Sequence, residues 1–83
     1  MTTTHSYKVT LRVRNEAGVL ARITVLIRKF QVNIRSLEVA PIDAEERFSD
    51  IHMVLETTNS HADIALKKLA RLIPVISVRS EEM

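Results

Sequence analysis

Residues 7–30 read YKVTLRVRNEAGVLARITVLIRKF, and the hydrophobic period changes in the middle of this stretch. Over residues 7–13 apolar side chains alternate strictly with polar ones, which predicts a β-strand with one buried face. After Gly18 the apolar residues recur at helical spacing; they are Val19, Leu20, Ile23, Leu26, Ile27 and Phe30. Gly18 is the only glycine of the chain, and it marks a junction between a strand and an amphipathic helix.

The rest of the chain repeats this alternation of strand and helix patterns. Residues 33–40 and 47–57 have strand character, and a polar turn that begins at Pro41 separates them. Apolar residues then return to helical spacing from Ala62 to Ile73, and Pro74 ends the second helix. TNSHAD, residues 58–63, offers several N-cap candidates for that helix, and Ser60 with Asp63 three residues later resembles a capping box. VISVR, residues 75–79, predicts a last strand.

The predicted order is therefore βαββαβ. Right-handed crossovers place both helices on one face of a four-stranded antiparallel sheet, which is the α+β ferredoxin-like architecture. We expect one domain over residues 1–83, with a core at about 7–80 and frayed ends at 1–5 and 80–83. The sheet face away from the helices is open to solvent or to a partner, and it carries Lys8, Arg12, Asp50, His52 and Glu56.

Composition narrows the class of protein. The 83 residues are 46% hydrophobic but only 4% aromatic, so the core is expected to be aliphatic. Small domains often gain stability by pairing, which favours a homo-oligomer. The absence of cysteine excludes disulfides, thiol catalysis and cysteine-ligated zinc. With no signal peptide and no apolar run near the roughly 20 residues of a membrane span, we expect a cytoplasmic protein with no membrane association.

Catalysis and nucleic-acid binding have weak support in the residues. Asp50 and His52 share a strand face, which is compatible with a metal or acid–base pair, but a surface cluster explains them better. No histidine and aspartate accompany a serine as a catalytic triad, so we predict no catalytic residues and no metal site. A sheet that binds RNA stacks bases on aromatic side chains, and Phe48 is the only candidate here. The net charge of +2 is too small to favour nucleic acid.

The loop at Gly18 is the strongest candidate site. Amide N–H groups from about Ala17 to Leu20 lie at a helix N-terminus, where they and the helix dipole form an anion site adequate for a carboxylate. Glycine lacks a Cβ, so a ligand can approach its backbone closely. In the other interpretation Gly18 serves only a helix entry that needs a positive φ, with no ligand. The residues of the loop leave both interpretations open.

Two motifs carry a family resemblance. RNEAGVLARI (residues 14–23) followed by VNIRSLEVAPID (residues 32–43) resembles the ACT domain of the small, regulatory subunit of acetohydroxyacid synthase (acetolactate synthase). The family pattern is Asn-x-x-Gly-x-Leu-x-Arg before the first helix and Asn-Ile-x-Ser-Leu in the second strand, ending near Ala-Pro. The matching residues are Asn15, Gly18, Leu20, Arg22, Asn33, Ile34, Ser36, Leu37, Ala40 and Pro41. The resemblance covers about residues 7–80.

The resemblance implies a non-catalytic regulatory subunit that binds the large catalytic subunit and senses a branched-chain amino acid, commonly valine. Such domains dimerise side by side into an eight-stranded sheet and hold the effector at the interface. The implied effector residues are Asn15, Ala17, Gly18, Val19 and Leu20 from one subunit, with Asn33 and Ile34 from its partner. Thiamine diphosphate, flavin and magnesium belong to the catalytic subunit, so we expect no cofactor here. A free-standing amino-acid-sensing ACT protein with another partner is the alternative.

Two features depart from the family pattern. Gln31 stands where the family often has glycine, and we expect it to weaken the turn before Asn33 and to alter the pocket beside it. The sequence also stops just after the last strand, whereas many of these regulators carry a further C-terminal domain. Short forms with only the first domain occur in the family. Which amino acid binds, and whether it inhibits, therefore stays open at the level of the sequence.

Overall fold

The computed structural model describes residues 3–83, in which strands and helices follow the predicted order βαββαβ. The strands are β1 (His5–Arg14), β2 (Asn33–Pro41), β3 (Phe48–Thr57) and β4 (Val75–Glu82), and the helices are α1 (Val19–Lys29) and α2 (Asn59–Ala70). The strands form one antiparallel sheet in the order β2-β3-β1-β4, with both helices on one face. The predicted α+β ferredoxin-like fold is confirmed, with β2 and β4 as its edge strands.

The core is aliphatic and lies between the sheet and the helices. Alternate residues of β1 and β3 are buried against α1 and α2, because each strand presents one apolar face. The most completely buried side chains include Leu11, Ile23, Ile27, Ile51, Met53, Leu55 and Leu69. Removing such a side chain from water contributes about 1.5–3 kcal/mol of stabilisation per residue.

The chain ends are more regular than the sequence indicates. His5 and residues 80–82, expected to be frayed, lie in strands, because β1 pairs with β3 from His5 onward and with β4 as far as Glu82. The Nδ1 atom of His5 lies 2.8 Å from a carboxylate oxygen of Glu82, and the Met83 amide donates to the Ser6 carbonyl at 2.9 Å. Residues 1 and 2 lie outside the described residues.

Helix α2 begins and ends earlier than predicted. Its N-cap is Thr58, the first of the candidates in residues 58–63, and the Thr58 hydroxyl accepts a hydrogen bond from the His61 amide at 3.2 Å. Asp63 takes no part in a capping box and instead pairs with Lys67 at 3.1 Å. The helix ends at Ala70 rather than at Ile73, since the following residues form turns before β4.

The turn between α1 and β2 forms in full even though Gln31 replaces glycine. Gln31 has φ 59°, and its amide donates to the Arg28 carbonyl at 3.0 Å. The Val32 amide donates to the Ile27 carbonyl at 3.2 Å, which completes a Schellman motif. The turn therefore keeps its geometry, and the expected weakening is energetic. Its remaining cost is the left-handed backbone of a non-glycine residue, about 1–2 kcal/mol.

Candidate effector site

Gly18 combines a backbone conformation that favours glycine with open space beside it. It is the N-cap of α1, with φ 79° and ψ 3°, and no side chain caps the helix there. A Cβ at this position would meet no heavy atom of residues 3–83 within 4 Å, apart from those of its two chain neighbours. The positive φ required by the helix-entry interpretation is present, and so is the room that a ligand would need. Binding of a ligand at Gly18 remains a prediction.

The polar groups of the loop favour an anion. The Val19 amide donates to the Glu16 carbonyl at 3.2 Å, so it is not among the free amides that the sequence predicted. The first turn of α1 has no acidic residue. The Glu16 carboxylate lies 3.6 Å from Arg14 and 3.7 Å from Arg22, and the two guanidinium groups leave one positive charge in excess. This excess and the helix dipole both attract a carboxylate.

Asn15 fixes the loop to the start of β3. Its side-chain amide donates to the Glu46 carbonyl, and its Oδ1 accepts a hydrogen bond from the Ser49 hydroxyl at 2.8 Å. Its backbone amide donates to the Arg47 carbonyl at 2.8 Å. One amide hydrogen and one lone pair of the Asn15 side chain are left for a ligand. Asn15 therefore positions the loop, whatever it contributes to an effector.

Ser49 is the residue of this region that the sequence interpretation missed. It is 1% exposed and stands on the buried face of β3, in register with Ile51, Met53 and Leu55. A polar residue on an otherwise apolar strand face needs a buried hydrogen-bond partner. That break in the alternation is the signal that could have linked Ser49 to Asn15.

The three aliphatic candidates differ in accessibility. Val19 is 9% exposed and belongs to the core, so it supports the loop from below rather than facing solvent. Leu20 is 38% exposed on the first turn of α1. Ile34 is partly buried and packs against the core from β2. Leu20 and Ile34 are the members that a ligand could contact.

A single chain does not bring the two halves of the motif together. Arg14, which precedes the Gly18 loop, pairs with Phe48 at one end of the sheet. Asn33 pairs with Glu56 at the other end. Phe48 and Glu56 are eight positions apart on β3, which is roughly 27 Å at about 3.4 Å per residue. A site that uses both halves needs a second chain.

The outer edge of β2 is one of the two open edges of the sheet. β2 is an edge strand, so the backbone groups on its outer side have no strand partner among the described residues. Leu37 and Val39 are 36% and 44% exposed. They pair with the buried residues Met53 and Ile51, and so they lie on the helix-facing side of the sheet. Apolar side chains beside an unpaired edge are typical of an interface.

A comparison with protein families gives a match over most of the chain. The model of the AHAS (acetohydroxyacid synthase) small subunit-like ACT domain matches residues 9–77. The chain belongs to this family. The ACT domain is a regulatory, non-catalytic type of domain that senses amino acids and pairs with catalytic enzymes. None of the curated proteins compared matches the sequence.

Solved structures share the fold of this ACT domain. An uncharacterized protein of Thermotoga maritima is 22% identical with a TM-score of 0.79, and the match covers 98% of this chain and 99% of that one. The ACT domain of GTP pyrophosphokinase from Chlorobium tepidum is 20% identical with a TM-score of 0.79, over 95% and 100% of the two chains. A homoserine dehydrogenase from Thiobacillus denitrificans is 23% identical with a TM-score of 0.79 over 98% of this chain, which spans 18% of that enzyme. At these identities the likeness shows the fold alone.

The open sheet face of the ACT domain does not assemble the metal or acid–base pair considered from the sequence. Arg12 binds Asp50 through two hydrogen bonds of 2.9 and 3.2 Å. These bonds lower the pKa of the Asp50 carboxyl, against a smaller opposing effect of burial. His52 instead lies 3.2 Å from the Thr10 hydroxyl. Within residues 3–83 no three potential ligands are grouped to hold a metal ion, and neither helix has the length and apolarity to span a membrane.

Proposed function

We propose that the chain is a regulatory subunit of acetohydroxyacid synthase. It forms a homodimer in the cytoplasm, binds a branched-chain amino acid such as valine at the dimer interface, and binds the catalytic large subunit. It holds no cofactor of its own. The observation that carries the proposal is the placement of the two halves of the effector motif at opposite ends of a sheet in which β2 is an edge strand.

A two-fold axis at the β2 edge would join these halves. If β2 pairs antiparallel with its copy about an axis near Leu37, the sheet is extended to eight strands. The partner subunit's Asn33 then lies opposite Pro41, at the end of the sheet that carries the Gly18 loop. Leu37 and Val39, exposed in one chain, are covered in the same step. Symmetry makes two equivalent sites from one interface.

The chemistry of such a site suits an α-amino acid with an aliphatic side chain. The carboxylate would lie on the backbone of Gly18, where the helix dipole and the excess positive charge attract it. The partner subunit's Asn33 supplies an amide oxygen for the ammonium group. Leu20 and the partner subunit's Ile34 provide apolar surface for the side chain. An effector that binds one subunit arrangement better shifts the complex toward it.

Calorimetric titration with valine, leucine and isoleucine tests the effector site. We expect the wild-type chain to bind at least one of them and Gly18→Asp to lose binding, because the new carboxylate occupies the place of the ligand's own. Ser77→Asp, on the exposed β4 strand, is the control with the same added charge. Unchanged affinity in Gly18→Asp would remove Gly18 from the site.

Light scattering tests the dimer and identifies its edge. Leu37→Lys places a charge on the edge of β2 and should yield a monomer that no longer binds valine. Ile76 is 53% exposed on β4, so Ile76→Lys changes the opposite edge in the same way and should remain dimeric. If instead Ile76→Lys is monomeric and Leu37→Lys dimeric, the interface is at β4 and the proposed site is wrong.

The second candidate function is an amino-acid-sensing ACT protein with a different partner. It is favoured by the occurrence of the same fold in a homoserine dehydrogenase and in the ACT domain of a GTP pyrophosphokinase. Mixing the chain with the acetohydroxyacid synthase catalytic subunit of the same organism separates the two. Complex formation, with acetolactate production that responds to valine, supports the first function. Valine binding without any complex supports the second.

A further inference from the structure

An apolar groove runs along the outer face of the helical layer, between α1 and α2. It has a volume of 510 Å³, and its apolar lining consists of Ala21, Val25, Leu26, Phe30 and Leu72. Val25 is 65% exposed, and Leu26, Phe30 and Leu72 are only partly buried. The groove therefore exposes a continuous apolar strip that the fold of one chain leaves uncovered.

The rim of this groove is basic. Arg22, Lys29 and Lys68 line it, and among the described residues no acidic side chain does. Arg22 lies 3.7 Å from Glu16, whereas the ion pairs formed between described residues include neither Lys29 nor Lys68. Two ammonium groups without acidic partners thus flank the apolar strip.

The proposed dimer does not cover the groove. Pairing through β2 uses that strand and the flank of α1 that carries Leu20, whereas the groove lies on the flank that faces α2. Any occupant of the groove is therefore a molecule other than the copy paired through β2. A ligand complementary to this groove has apolar side chains that contact the lining and carboxylates on either side of them that contact the basic rim.

We propose that this groove docks an acidic amphipathic helix of the catalytic partner. The cleft between two packed helices accepts the side-chain ridge of a third helix. A helix that docks in such a groove inserts apolar side chains at positions i, i+3, i+4 and i+7. Asp and Glu beside those anchors would meet Lys29 and Lys68. The inference rests on the proposed function, because it assigns the binding of the catalytic subunit to one face of the regulatory domain.

Charge reversal in the complex tests the rim. Lys29→Glu/Lys68→Glu should weaken binding of the acetohydroxyacid synthase catalytic subunit of the same organism by roughly tenfold or more, since two attractions become repulsions. Lys8→Glu/Arg79→Glu makes the same change in net charge on the open sheet face and should leave the affinity within about twofold of wild type. Valine titration of each variant shows whether the effector site is intact.

Cross-linking tests the groove itself. The chain has no cysteine, so Val25→Cys gives a unique attachment point for a benzophenone maleimide. Photolysis in the complex should link position 25 to a segment of the catalytic subunit that combines acidic and apolar residues at helical spacing. Ser77→Cys on the sheet is the matched control and should link poorly. Equal yields from both positions, or a linked segment without acidic residues, would overturn the proposal.

The outcomes distinguish this inference from the proposed function. If the wild-type chain and the Lys29→Glu/Lys68→Glu variant bind the catalytic subunit equally well, the docking site alone is overturned. A wild-type chain that does not bind it overturns both the partner and the docking site, and valine binding is then the part that stands. If the Lys29→Glu/Lys68→Glu variant loses affinity for single-stranded RNA but not for the catalytic subunit, the basic residues of the groove bind RNA phosphate groups. That result also overturns the proposal.

Discussion

Substitution of Gly18 by alanine and by asparagine separates its conformational role from its proposed role in binding. Gly18 has φ 79°, a region in which alanine is strained and asparagine is better tolerated. A Cβ at this position meets no heavy atom of the described residues within 4 Å, apart from its chain neighbours, so the alanine variant is not destabilised by a clash. The loss of stability is thus due to the backbone alone.

The magnitude follows from two opposing terms. A left-handed conformation costs an alanine about 1–2 kcal/mol, and replacing glycine lowers the entropy of the unfolded chain by the equivalent of about 0.4–1 kcal/mol. We expect Gly18→Ala to reduce the free energy of unfolding by about 1 kcal/mol, which is about 4–8 °C in Tm for a domain of this size. Gly18→Asn should lose less than half of that amount.

Thermal unfolding by circular dichroism and valine titration by calorimetry are measured on the same samples. If the carboxylate of the effector lies on the Gly18 backbone, both variants lose affinity to a similar extent, because either side chain occupies the open space. The two variants then differ in thermal stability but not in affinity for valine. Asparagine with wild-type affinity would refute the close approach of a ligand, and alanine with wild-type stability would refute the conformational requirement.

Three further predictions concern the contacts around the site. Asn15→Ala should lower the free energy of unfolding by about 1–3 kcal/mol in urea titrations, because the buried Ser49 hydroxyl loses its partner, and adding Ser49→Ala should recover part of the loss. Gln31→Gly should raise the free energy of unfolding by about 0.5–1 kcal/mol, since glycine adopts the left-handed turn without strain; a decrease would contradict the strain. Arg12 lowers the pKa of folded Asp50, so its contribution is complete above the unfolded value of about 3.9 and is lost as the pH falls through the folded pKa. The stability difference between wild type and Asp50→Asn should therefore shrink between pH 7 and pH 3, and a constant difference would exclude this linkage.

The candidate site could be read only in part from the sequence. The position of Gly18 at the strand-to-helix junction followed from the change in period, and its positive φ is present in the structure. The assignment of Asn15 to a ligand left out its two hydrogen bonds to Glu46 and Ser49, which are more than 30 positions away. Contacts at that separation depend on strand register, which local patterns do not reveal.

The periodicity of apolar residues was sufficient for the element order, the aliphatic core and the ferredoxin-like sheet, because burial of one face per element is a local constraint. The bounds of α2 and the ends of the sheet needed the folded chain. Ser60 and Thr58 are both competent caps, and the pairing that orders Glu82 involves the distant residue Tyr7. For the site, the predicted βαβ crossover already implies that Gly18 and Asn33 lie at opposite ends of the sheet, but only the strand register gives the distance between them. The separation arises because β1 and β2 both pair antiparallel with β3 and therefore run parallel to each other, and it is the physical reason for proposing a second subunit.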